Sequence, residues 1–135
     1  MEKINNAPLH PQVEINHFYI SNVGDAQAKT AFVISNNETI SMYEFEFRVG
    51  ILTKDVPSNK NFKIKLDMGD GNYFADYAIE PRELILNNGW SGTEFIIRNA
   101  ITNISAGQSG EYFAHLFLDD TEVASASTKL FIIGD

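Results

Sequence analysis

Residues 110–133 read GEYFAHLFLDDTEVASASTKLFII, and this run decides the fold. From Tyr112 the side chains alternate. Tyr112, Ala114, Leu116 and Leu118 share one face; Phe113, His115, Phe117 and Asp119 share the other. Side chains in a strand repeat every two residues, so such a run can bury one whole face. Asp119, Asp120, Thr121 and Glu122 then interrupt it with short, turn-tolerant residues. The chain returns from Val123 to Ile133 with Ala124, Ala126, Thr128, Leu130 and Ile132 in phase. The reading is a β-hairpin against which the preceding residues pack.

Working outward, the clearest alternation is Tyr43, Phe45, Phe47, Val49 and Ile51 against Met42, Glu44, Glu46 and Arg48. A helix would scatter those aromatics around its circumference, whereas a strand gathers them on the core side. Phe62, Ile64, Leu66 and Met68 alternate with Lys63, Lys65 and Asp67 in the same way. The Asp70-Gly71 pair marks a turn, because both residues tolerate positive φ. Tyr73, Ala75, Tyr77 and Ile79 form the partner strand. Earlier strands are expected over Val13–Ile20 and Ala28–Ile34, later ones over Thr93–Arg98 and Ile101–Ile104. Residues 82–88 fit either a short helical turn or a strand. Pro8 and Pro11 make residues 1–12 a loose N-terminal arm or the lead-in to an edge strand. Residues 1–135 therefore form a single domain of about seven to nine short strands, an all-β antiparallel sandwich.

Composition narrows the function. The ten phenylalanines suit strands better than helices. A net charge of −8 opposes nucleic acid and anionic membrane surfaces as partners, since both select basic footprints. With no cysteine, neither disulfides nor zinc–thiolate sites can form. No run reaches the ~18 apolar residues of a membrane helix, and residues 1–8 lack the apolar core of a signal peptide. The expected setting is an acidic, soluble, cytoplasmic domain.

Gly110-Glu111-Tyr112-Phe113-Ala114 resembles the tyrosine-corner segment of immunoglobulin-like domains. Ala114 stands where the antibody-type cysteine would fall, and no tryptophan lies on the third or fourth expected strand. The 110–133 stretch is similar to the closing hairpin of small, uncharacterised bacterial immunoglobulin-like sandwiches. That resemblance implies the sandwich fold. It also implies that the Tyr112 hydroxyl bonds to backbone a few residues upstream.

Residues capable of chemistry are few. His115 sits between Phe113 and Phe117, and His17 lies on the first strand. A metal would need further ligands converging on either one, so both read as surface or half-buried histidines. Residues 67–72 look superficially like a calcium loop, but Gly69 occupies a ligand position and strands flank it, so a hairpin turn explains them. Glu44 and Glu46 would lie about 7 Å apart on one strand face. They read as solvated surface, not as a catalytic pair. There is no nucleophile elbow. The expectation is a non-enzymatic chain without cofactor or metal.

Two binding readings stand. Phe113, Phe117, Phe131 and Ile133 all fall on the outer face of the last hairpin, more apolar surface than a monomer usually leaves wet. That points to a protein-interaction or assembly module, its partner another protein or a second copy in a homo-oligomer, unless the N-terminal arm covers the face. The alternative is a carbohydrate-binding sandwich in which Trp90, with Tyr73 and Phe74, forms an aromatic platform.

Overall fold

A computed structural model of the chain describes residues 12–34, 39–54, 61–79, 85–87, 90–107 and 109–134. Within them run β1 (Gln12–Asn22), β2 (Ala31–Ile34), β3 (Thr39–Lys54), β4 (Phe62–Asp67), β5 (Ala75–Ile79), β6 (Ile85–Asn87), β7 (Trp90–Ser105), β8 (Ser109–Leu118) and β9 (Thr121–Gly134). One sheet has the order β1-β3-β7-β6 and the other β2-β9-β8-β4-β5. In immunoglobulin lettering these are A-B-E-D and A′-G-F-C-C′. The fold is an immunoglobulin-like β-sandwich: the alternation predicts the sandwich, and the resemblance implies its immunoglobulin-like form.

One pairing departs from an all-antiparallel reading. β2 runs parallel to β9, Ala31 beside Phe131 through Ile34 beside Gly134. The connection from β1 makes this possible: the amide of Lys29 still bonds to Ile20 in the first sheet, and Thr30 accepts from Phe131 in the second. The chain thus changes sheets between residues 20 and 31, which shortens the strand expected over Ala28–Ile34. Residues 1–11 of the expected arm lie outside the described residues, and Gln12 already belongs to β1. Ile85–Asn87 pairs with the start of β7, so the strand alternative holds there. The two late strands are one, because β7 stays paired to β3 from Trp90 to Ser105. Tyr73 precedes β5 instead of opening it.

The core lies between the sheets, where the alternation directs it. Phe45, Phe47, Val49 and Ile51 of β3 and Ile20 of β1 face Ile64 and Leu66 of β4, Leu116 of β8 and Leu130 of β9, all essentially without solvent contact. Each contributes about 1.5–3 kcal/mol through burial. Phe47 anchors an aromatic cluster, its ring centroid 5.4 Å from Phe74 and 5.6 Å from Tyr112. Phe45 anchors another with Phe32 and Tyr43.

Two local devices fix the closing hairpin. Asp119 and Asp120 have φ of 48° and 67°, and they join Leu118 to its partner Thr121. Positive φ at both central residues of a two-residue loop defines a type I′ turn, whose twist matches that of the strands. The Gly-x-Tyr motif works through packing. The Tyr112 ring lies back over Gly110, so closely that a Cβ there would meet its ring and hydroxyl at 2.7–2.9 Å. Among the described residues the hydroxyl makes no hydrogen bond, so the upstream bond implied by the resemblance is not formed there.

Candidate functional site

The outer face of the second sheet carries the hairpin residues singled out from sequence, and it divides into two regions. Phe113 stands beside Ser127, and Phe131 beside Ser109. About 13 Å of strand separates these rows at ~3.3 Å per residue, with the charged pair Glu111 and Lys129 between them. Phe113, Phe117, Phe131 and Ile133 therefore do not form one continuous surface.

The first region is roofed from within the chain. Tyr73, carried by the β4–β5 connection, meets Phe117 edge-on at 6.4 Å and His115 at 5.8 Å. Lys65 Nζ sits 5.0 Å from the Tyr73 ring and 4.8 Å from the Phe117 ring. Gly69, in a left-handed conformation, packs on Phe113; a Cβ there would lie 3.0 Å from that ring. Phe113 and Phe117 are half-buried as a result.

His115 is the chemical centre of this region. Its Nε2 lies 3.1 Å from Oδ1 of buried Asp67, which also accepts from the Gly69 amide. Nδ1 lies 3.2 Å from Glu122 Oε1, near enough for charge pairing but off the direction of a hydrogen bond. Burial opposes charge on the ring, but the Asp67 hydrogen bond and then Glu122 outweigh it and raise the His115 pKa. A carboxylate at each nitrogen favours the protonated ring, whose nitrogens offer a metal no lone pair. Among the described residues no group of three His, Asp or Glu side chains is arranged to hold a metal ion. The residues of the calcium-like loop make an Asx turn, Asp70 Oδ1 accepting from the Asn72 amide at 3.0 Å.

The second region is open. Val33, Phe131 and Ile133 are 59%, 49% and 47% exposed. They lie together because parallel pairing sets Val33 beside Ile133 and Ala31 beside Phe131. The sequence pointed to Phe131 and Ile133; Val33 joins them only through the β2–β9 pairing, which no local pattern signals.

Opposite, on the outer face of the first sheet, lies a charged network that the sequence did not suggest. Glu46 and Arg48 are 4% and 8% exposed, so Glu46 is not the solvated residue its alternation implied, whereas Glu44 is exposed. Arg48 meets Glu46 at 3.0 Å, Glu94 at 3.3 Å and Ser21 at 3.0 Å. Arg98 closes on the other Glu46 oxygen at 3.0 Å. Hydrogen bonding to Arg98 holds the Glu46 carboxyl below its ordinary range against the opposing effect of burial, with the Gly24 amide and Arg48 adding to it. His17 extends the network, 2.8 Å from Glu94. A β-bulge between Ile15 and His17 sets that ring above Gly50, where a Cβ would lie 2.1 Å from it. Every charged member has an opposite partner. The cluster reads as a structural clasp on the middle strand.

Trp90 is the first residue of β7, exposed, with Lys54 Nζ 5.3 Å from its ring. Phe74 is half-buried and packs on the core against Phe47 and Tyr112, and its carbonyl accepts from Asn99. Trp90 and Asn99 are about 30 Å apart along β7 at ~3.3 Å per residue. Tyr73 is on the outer face of the other sheet. The three rings expected to form a sugar platform are thus dispersed.

No protein-family model matches the sequence, and no curated protein matches it. Solved structures similar to it include a β-glucuronidase of Bifidobacterium dentium complexed with coumarin-3-O-glucuronide, at 13% identity and a TM-score of 0.43; the match covers 89% of this chain and 18% of that one. A CARDB domain from Pyrococcus furiosus, in complex with di-metal ions, is 12% identical with a TM-score of 0.44, covering 93% and 94% of the two chains. The alkylpurine DNA glycosylase AlkC of Pseudomonas fluorescens, bound to DNA containing an abasic site analog, is 15% identical with a TM-score of 0.35, covering 88% and 30%. This chain spans less than a third of the glucuronidase and of the glycosylase. At such identities and scores the likeness carries nothing about function.

Proposed function

We propose that the chain is a non-catalytic assembly module that docks a second copy of itself through the outer face of β2 and β9. The observation that carries this reading is the exposed apolar strip of Val33, Phe131 and Ile133 beside the short edge strand β2. Its border favours self-association: Glu111 and Lys129 sit side by side there, and a two-fold axis sets each opposite its counter-charge on the other copy. Three apolar side chains fall short of the ~800 Å² per partner of a standard interface, so the dimer is weak and exchanges with monomer.

Light scattering over a range of concentrations tests this. The mass should rise toward twice that of one chain in the native protein. It should stay at one chain in Phe131→Asp and Ile133→Asp, with both variants folded. A native protein that is monomeric at every concentration contradicts the proposal, as does a dimer that survives both substitutions.

A further inference from the structure

Two adjoining cavities, of about 350 Å³ and about 230 Å³, open between the sheets and share Met68, Ile101, Thr102 and Tyr112 as walls. Asn103 and Gly110 line the larger one as well. Its size falls at the lower end of small-molecule sites, ~300–1,000 Å³. Among the described residues neither cavity has a charged side chain in its lining, and most of the lining is apolar. Tyr112 gives the cleft a hydroxyl that can donate to a ligand. The residue is 4% exposed, yet among the described residues its hydroxyl has no hydrogen-bond partner, and it lies at the Gly110 wall. The hydroxyl still reaches the solvent of the open cleft, where a ligand oxygen can replace water as its acceptor.

We infer that this cleft binds a small neutral molecule with an aromatic or branched aliphatic body and one carbonyl or ether oxygen, to which Tyr112 donates. Charge selects the neutral class. A carboxylate or phosphate would enter with no cation to pair it, at a large desolvation cost. Met68, half exposed at the mouth, is unbranched and polarisable, suited to close over bodies of differing shape. The site lies between the sheets, away from the β2–β9 face, so the inference stands independently of self-association.

Acetophenone and toluene are the probes, one with the oxygen and one without, followed by amide shifts in a ¹H–¹⁵N titration. Acetophenone should give saturable shifts at Thr102, Asn103 and Gly110. Tyr112→Phe should weaken acetophenone about fivefold, the value of one hydrogen bond, and leave toluene within about twofold. Ile101→Trp, which fills the cavity, should abolish both. Saturable shifts elsewhere, or none in the native protein, overturn the inference. So does a Tyr112→Phe variant that binds both probes equally weakened or unchanged.

Discussion

His115 couples protonation to folding. Its folded pKa is raised above the ordinary value of 6.5, so its contribution to stability is fully present below 6.5 and is lost as pH rises through the folded value. Denaturation midpoints should therefore fall as pH rises above 6.5, and His115→Gln should flatten that slope. An unchanged slope in the variant would mean that Asp67 and Glu122 do not hold the charge. Glu46 runs the opposite way: its pKa is lowered, so its contribution is present above the ordinary 4.5 and lost as pH falls below that. Gly50 is a second residue-scale constraint. A methyl group there displaces the His17 ring from Glu94, and the expected cost of Gly50→Ala is about 1 kcal/mol. The cost should vanish in a His17→Ala background. A double-mutant cycle by chemical denaturation measures it, and equal costs in both backgrounds would place the strain in the backbone instead.

At the scale of elements, the closing hairpin is where sequence and structure agree most closely. Tyr112, Ala114 and Leu116 point inward as the alternation requires, and Asp119-Asp120 makes the turn. Asp is a tolerable but imperfect occupant of positive φ. Asp120→Gly should stabilise the protein by about 0.5–1 kcal/mol, since the Lys63 contact it removes is an exposed 3.7 Å pair of little value. Thermal melting decides this; destabilisation would show that the exposed pair matters more than the turn. Other elements were legible only in part. The polar Asn99 within β7 hid the continuity of that strand, because pairing to β3 overrides local composition. Asn87 and Gly92, both turn-type residues, flank Trp90, yet Trp90 pairs with Lys54. The outward Glu46 reads as solvated because period-two patterning separates the faces of a sheet without telling whether neighbours cover the outer one. On the middle strand, side chains from β1 and β7 do cover it.

The whole molecule is two apolar layers with different outer faces. The face of the first sheet is locked by its own charge network, and half of the second is roofed by Tyr73 and Lys65. The remainder, at β2 and β9, has no such cover among the described residues, and it exists only because the chain crosses between sheets after Ile20. That crossover is a long-range event, which is why the sequence named Phe131 and Ile133 but not Val33. The most direct test of the account is a concentration series of ¹H–¹⁵N spectra of the native protein. The account predicts that amides of Val33, Lys129, Phe131 and Ile133 shift progressively with concentration while those of β3 and β7 stay fixed. Shifts confined to the β3 and β7 face, or no shifts at any concentration, would contradict it.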